Sequence, residues 1–225
     1  MDALSKNALA KLAFFQLLIA VLLFLPAWTL HFWQAWLFCM VFTAAQLIIT
    51  FYFLRTDPHL IENRLKAGPR AESRPAQKLI LFFAVILSLA LVVLPGLDHR
   101  LGWSVVPVPS VLLGDLGVVA GMSITFFVFR ANTHAAATVK VEENQQVIAT
   151  GLYSIVRHPM YFGALVLFIA TPLALGSFWT LLLVPLLFAV LALRLLDEER
   201  FLRANLPGYT AYCQKVRFHL IPFLW

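Results

Sequence analysis

The sequence predicts an all-α integral membrane protein: a bundle of about five to six transmembrane helices with a C-terminal helical hairpin, and a polar loop and tail on one face. Three observations carry this. The 225 residues are 61% hydrophobic and only 12% charged, with a mean hydropathy of +0.85, which no soluble core of this size requires. Six long apolar runs punctuate the chain. The basic residues collect in alternate connections between those runs. With abundant Leu and Phe and two cysteines, the chain is neither a disordered nor a disulfide-rich scaffold.

The runs are 8–30, 33–54, 79–97, 108–129, 160–175 and 178–196. Most approach the ~20 residues that cross ~30 Å of hydrocarbon. The first follows Lys6 and Lys11; it is too long for a signal-peptide core and lacks a small-residue cleavage site, so it reads as an anchor. The fourth contains Gly117 and Gly121, a spacing that lets two helices approach closely within the bundle. Asp115 lies near the external end of that run, within reach of water. The fifth run is short, and only Gly176 and Ser177 separate it from the sixth, which implies a tight hairpin that crosses the bilayer or dips into it. Pro26, Pro95, Pro172 and Pro185 fall in or near spans and kink or end helices there.

Placing the N-terminus in the cytoplasm puts 1–11, 55–78, 130–157 and the chain from Arg194 onward on that side, with 16 of the 17 Lys and Arg residues. Arg100 is the exception. This is the positive-inside pattern, with an even number of crossings and both termini cytoplasmic. The net charge of +6 therefore reflects topology, and no basic groove or aromatic stacking module points to nucleic acid. Cys39 lies in a span and Cys213 in the tail, with no metal-ligand spacing, so zinc or thiol chemistry is not indicated.

Chemistry-bearing residues concentrate on the cytoplasmic side of the C-terminal half. The connection from Arg130 to Pro159 is polar and nearly thirty residues long, yet carries Val139, Val141, Val147, Ile148, Leu152, Tyr153 and Ile155. A loop of this length is functional or disordered, and its apolar residues favour an ordered cap over the bundle mouth. It ends in Arg157, His158, Pro159, Met160 and Tyr161. Proline suits the first turn of a helix, so Arg157 and His158 stand just outside that helix with polar atoms at the headgroup boundary. The sixth run ends with Arg194 and Glu198 one turn apart on a helical face, with Asp197 and Glu199 on its flanks. Arg194 is either a snorkelling side chain or half of an ion pair at a site. Tyr209 and Tyr212 then mark one side of a short amphipathic element that lies on the membrane surface and folds back over the same region.

The combination GLYSIVRHPMYFG, a hairpin, Arg-x-x-x-Glu, EERFL, GYTAY and a final Ile-Pro resembles the isoprenylcysteine carboxyl methyltransferase family, including its bacterial and phospholipid-methylating relatives. The resemblance covers Asn132 to Pro222. It implies an S-adenosylmethionine-dependent methyltransferase, with the cofactor reached from the cytoplasm and a lipidic, prenylated or small hydrophobic acceptor arriving from the bilayer. By motif position, Gln145, Gln146, Val147, Ile148, Tyr153, His158, Pro159, Met160, Tyr161 and Glu198 bind the cofactor. Arg194 faces the acceptor and, with Glu198, is catalytic. The loop and tail cap the cofactor, residues 1–130 form a scaffold of about four helices, and 131–225 form the catalytic region. Gln145 stands where relatives often have His, and Leu152 where they often have Pro. Other readings are an NADPH-dependent sterol-reductase-like enzyme, whose related architecture holds a nicotinamide cofactor, a transporter, and a purely structural membrane protein. No metal is implied.

Overall fold

A computed structural model describes residues 2–66, 74–132 and 147–225. All regular elements among them are helical: α1 (Ala3–Ala27), α2 (Trp33–Thr56), α3 (Pro58–Lys66), α4 (Pro75–Leu101), α5 (Val108–Ala131), α6 (Pro159–Ala174), α7 (Val184–Asn205) and α8 (Tyr209–Lys215), with 3₁₀ turns at Gly151–Ser154 and Trp179–Leu183. Five helical segments are long and apolar enough to cross a membrane: α1, α2, α4, α5, and α7 together with the 3₁₀ turn before it. The expected all-α membrane bundle is observed. Most large exposed side chains on the long helices are apolar, Phe14, Leu17, Leu79, Phe82, Leu113 and Leu116 among them; a bundle in lipid need not hide such groups, because the lipid tails around it are equally apolar.

The helices close on themselves. α1 packs between α4 and α2, α2 reaches α5, α5 packs along α6, α6 meets α7, and α7 returns to α4. α6 also touches α2 and α4, and half of its residues are buried. Its tightest partner is α5, for a reason visible in the sequence. Gly114, Gly117 and Gly121 recur at three- and four-residue intervals, and added Cβ atoms there fall against Ala174, Ala170 and Leu167 of α6. The glycine pattern thus serves packing inside the bundle. A Cβ on Gly114 lies 2.2 Å from the Ala174 backbone nitrogen, so a helix must move to admit it. Gly114→Ala is expected to cost about 1–3 kcal/mol, read as a lowered melting temperature in detergent, whereas Gly102→Ala, with open space around its Cβ, is expected to cost only the strain of its positive φ.

The α6–α7 hairpin runs the full height of the bundle. At its turn Gly176 has φ +68°, a left-handed conformation that glycine adopts without Cβ strain. Ser177 and Thr180 beside it are fully buried, their hydroxyls 2.7 Å apart. The Ser177 hydroxyl donates to the Asp98 carboxylate at the far end of α4. Asp98 also accepts from the Ser104 amide and hydroxyl, each at 2.7 Å, and the Ser104 hydroxyl accepts from the Phe178 amide at 3.0 Å. The turn is therefore pinned beside the α4–α5 connection. Asp115 departs from expectation. It is buried, and among the described residues neither carboxylate oxygen has a hydrogen-bond partner; its neighbour Gly114 lies against Ala174 at the far end of α6.

α3 occupies part of the stretch expected to be a connection. Asp57 starts it, its carboxylate accepting from the Leu60 amide at 3.1 Å. It bridges helix ends: Lys11 of α1 donates to the Leu65 carbonyl at 3.0 Å, and Arg64 lies 4.7 Å over the Phe129 ring of α5. Asn132, just past α5, donates to the Tyr153 hydroxyl, and the Tyr212 hydroxyl donates to the Tyr153 carbonyl. This chain of contacts places the start of α1 and the C-terminal segment at the same end of the bundle. Arg100 lies at the other end, over the Trp28 ring.

Candidate functional site

Of the residues singled out in the sequence, His158, Tyr161, Arg194 and Glu198 meet between the start of α6 and the C-terminal half of α7. Pro159 and Val184 open α6 and α7, with Pro185 in the first turn of α7, since proline lacks only an N–H that the first turn leaves unused. Arg157 and His158 precede α6 and are held there by the returning C-terminal segment: their amides donate to the Phe218 and His219 carbonyls at 2.9 and 3.0 Å. The tail thus folds back over this region as the sequence suggested.

Two polar constellations result. In the first, Tyr161 stands between the two residues read as a pair. Its hydroxyl accepts from Arg194 Nε at 2.9 Å and donates to Glu198. The His158 ring stacks on Tyr161, centroids 5.5 Å apart and planes 13° from parallel. From α4, the amide nitrogen of fully buried Gln77 donates to Asp197 at 2.5 Å and to the Arg194 carbonyl at 3.4 Å. Arg74 adds an ion pair to Asp197 at 2.9 Å. α4 therefore braces the segment of α7 that carries Arg194 and Glu198.

The second constellation centres on Glu199, which flanks the Arg194–Glu198 face in the sequence. It is buried, and its Oε1 lies 3.2 Å from His158 Nε2, 3.1 Å from Arg157 Nε and 3.1 Å from His219 Nδ1, while Oε2 receives Arg203 at 3.4 Å. Arg157 is buried too, contrary to the expectation that it projects to the headgroup boundary. The reason is that the 216–225 segment covers it and supplies the Arg217 carbonyl to its guanidinium. A buried cation and anion in contact each lower the other's desolvation cost. A sequence signal for Glu199 existed: Leu187, Leu191 and Leu195 form the buried stripe of α7, and Glu199 is its next member at four-residue spacing.

Of the other expected residues, Tyr153 lies in the 3₁₀ turn and is partly buried. Val147 packs on the cluster of Leu206, Tyr209, Tyr212 and Val216. Met160 packs on the cluster of Tyr161, Leu165, Leu191, Leu195 and Leu220 as well as on the main apolar cluster, and Ile148 is half-buried beside Val147 in sequence. Gln145 and Gln146, with most of the expected cap, lie outside the described residues. Tyr209 and Tyr212 share the buried face of α8, as read.

The electrostatics keep the site's aromatic hydroxyls neutral. Burial raises the pKa of Tyr153 above the usual phenol value, against the Asn132 hydrogen bond and with Glu198 adding to it. Burial likewise raises Tyr209 and Tyr212. His219 moves the other way: burial disfavours its imidazolium and outweighs the pull of Glu199, while Arg157 and His158 add repulsion. A folded pKa below the unfolded one means that His219 contributes stability above its ordinary value of 6.5, lost as pH falls through the folded value. Wild-type melting temperature is therefore expected to fall between about pH 7 and pH 5 more steeply than that of His219→Gln, measured in parallel. Equal slopes would remove His219 from the account.

This arrangement joins aromatic and aliphatic walls to a carboxylate and a guanidinium that share one phenol. Its chemistry is complementary to a ligand with an aromatic face and groups of both charge signs. The family model for phospholipid methyltransferase matches residues 109–207. That family belongs to the isoprenylcysteine carboxyl methyltransferase-like group of membrane methyltransferases, so the resemblance drawn from the motifs is borne out. The matched stretch takes in α5, α6 and α7 and stops before the GYTAY motif. Among curated proteins, none matches the chain.

Proposed function

We propose, starting from that family match, that the chain is an S-adenosylmethionine-dependent methyltransferase acting on a lipidic or small hydrophobic acceptor, with its site at the cytoplasmic end of the bundle. The observation that carries this is the Arg194–Tyr161–Glu198 chain set against the His158 ring. S-adenosylmethionine pairs an adenine with a sulfonium, an ammonium and a carboxylate. Tyr153, His158, Tyr161, Val147 and Ile148 offer its ring a wall, Glu198 suits its cations, and the donor set therefore fits. Pro159 and Met160 shape the same wall, and Gln145 and Gln146 join it by motif position. The proposed division remains a scaffold of 1–130 and a catalytic region of 131–225, with Arg74 and Gln77 as the scaffold's reach into the site.

Bound there, the cofactor supplies a methyl group activated by its sulfonium. The protein's part is positioning and exclusion of water, since methyl transfer by in-line displacement needs no covalent enzyme intermediate. Arg194 orients an anionic acceptor group by charge-assisted hydrogen bonds, and a carboxylate so held is already nucleophilic at neutral pH. For an amine or thiol, Glu198 is the base within the constellation. Carboxyl O-methylation, as the motif resemblance implies, and N-methylation of a phospholipid amine therefore differ in which of these two residues matters more.

Saturable binding of radiolabelled S-adenosylmethionine to the purified protein tests the reading, with NADPH as the comparison. It is expected for the first ligand and to weaken in His158→Ala and Tyr153→Ala variants that melt like wild type. Binding of NADPH alone would replace the proposal by a reductase. The sidedness follows from the basic-residue tally: tags at Met1 and Trp225 are expected to be reached together from the cytoplasmic face of sealed vesicles, and accessibility on opposite faces would contradict it.

A further inference from the structure

Just past the residues that bond to Arg157 and His158, the C-terminal segment makes a turn over Leu220, Ile221, Pro222, Phe223, Leu224 and Trp225. Apart from the indole N–H of Trp225, its side chains are apolar. Leu220 is fully buried in one cluster with Leu165 of α6 and Leu191 and Leu195 of α7, and the Trp225 ring lies against Phe188, centroids 5.9 Å apart. Leu165 and Phe188 each lie six residues inward, from Pro159 and from Arg194, about 9 Å along a helix axis. The turn thus runs beside the apolar lengths of α6 and α7. Non-helical backbone at such depth has to satisfy its own polar groups. The Leu220 and Ile221 amides donate to the Trp225 carbonyl, each at 2.9 Å, and the Leu224 and Trp225 amides donate to the Ile221 carbonyl at 3.2 and 3.1 Å. Pro222 has no N–H, which leaves the Phe223 amide alone outside this set. Two features are unfavourable in water. Phe223 has φ +64°, a left-handed conformation that L side chains resist. Phe223 and Leu224 are also 88% and 76% exposed.

We propose that residues 220–225 are a hook inserted into the bilayer beside α6 and α7, with Phe223 and Leu224 among the acyl chains of the leaflet at that end, so that lipid holds the tail closed over Arg157 and His158. Lipid is the occupant because the hook lies on α7, which is long and apolar enough to cross a membrane and exposes Leu186 and Leu193 of its own. Charge agrees with this placement: exposed Lys215 and Arg217 precede the hook, residues 216–225 contain no acidic side chain, and such cations favour phosphate headgroups at the membrane surface. The bonds from the Arg157 and His158 amides end on Phe218 and His219, directly before the hook, so withdrawing it from lipid frees them. The inference rests on the geometry of the tail and not on which ligand the site takes.

The test uses the full chain in phosphatidylcholine nanodiscs, with Cys39→Ser and Cys213→Ser, and a nitrobenzoxadiazole label on Phe223→Cys. The label is expected to be quenched more by nitroxide on the acyl chain than by nitroxide on the headgroup, and to resist aqueous dithionite. The same label on Asn205→Cys, at the polar end of α7, is expected to be reduced quickly. Reduction at position 223 as fast as at 205 overturns the proposal, because the hook then stands in water. Protection from dithionite without acyl-chain quenching overturns it too, since a protein surface would then cover the hook. In the unlabelled chain, Phe223→Ser with Leu224→Ser is expected to speed hydrogen exchange at the Arg157 and His158 amides about 10- to 100-fold, with the α5–α6 seam unchanged. Wild-type exchange in that variant overturns the role of lipid in holding the tail closed. Should the double variant fail to fold, the label at position 223 decides alone.

Discussion

Glu199→Ala is expected to collapse the start of α6 and cost about 3–5 kcal/mol, the usual penalty for removing one partner of a buried ion pair. The size follows from what stays behind. Arg157 is 6% exposed and His158 7%, so the guanidinium cannot turn to water once its counter-charge is gone. Both residues also bond through their amides to the C-terminal segment, so the disturbance spreads to the 216–225 strap. Glu199→Gln keeps an acceptor for His158 but no charge for Arg157, and an intermediate loss is expected. The control is Arg203→Ala: that side chain is 46% exposed, its contact with Glu199 is 3.4 Å long, and such pairs contribute about 0–1 kcal/mol. Melting curves of the three variants in one detergent check the ranking. If Glu199→Ala melted with Arg203→Ala, the buried pair would not be the organiser of this region.

Arg194→Lys is expected to lower turnover about tenfold or more, equal to ~1.4 kcal/mol of lost transition-state stabilisation, with cofactor affinity changed much less. Lysine keeps the charge but not the planar fork of donors, and it has no atom equivalent to the Nε that donates to Tyr161 at 2.9 Å. Tyr161→Phe is expected to resemble it in turnover, since removing the hydroxyl breaks the link from Arg194 to Glu198. A side chain that only snorkels to the headgroups predicts the reverse, because lysine reaches as far. Turnover and cofactor affinity, measured on the same nanodisc preparations, separate the two. Wild-type turnover in Arg194→Lys would leave the acceptor side without an identified cation.

The spans and the hairpin were legible because burial in lipid needs only length and apolarity, and both are local properties of the chain. Pro159 opening a helix and the paired tyrosines of α8 were legible for the same local reason. α3 was not: nine residues with Leu60, Ile61 and Leu65 among polar ones are too short for periodicity to separate a helix from a loop, although Asp57 and Pro58 form a start signal. The roles of Arg157 and Glu199 were hidden by distance along the chain. Their environment is built by the tail some sixty residues after Arg157, and only the spacing of Glu199 on the leucine stripe hinted that it faces inward. Asp115 was misjudged because the run length gave its depth but not the close approach of α6. Tyr161 was identified as a site residue, yet its position as the link between Arg194 and Glu198 depends on how α6 and α7 cross.

The fixed turn of the α6–α7 hairpin constrains how the protein opens. Asp98 and Ser104 grip Ser177 and Phe178 at one end, and the glycine seam keeps α6 against α5 along its length. A helix fastened at its tip and along one side is held at its base by Tyr161 and His158 against α7. That base is where the 216–225 segment crosses Arg157 and His158 through two main-chain hydrogen bonds. If the proposed cofactor is held at this end, its entry is expected to need peeling of that segment more than any shift of the long helices. The amide protons of Arg157 and His158, which donate to the tail, are therefore expected to exchange with solvent faster than those of the α5–α6 seam.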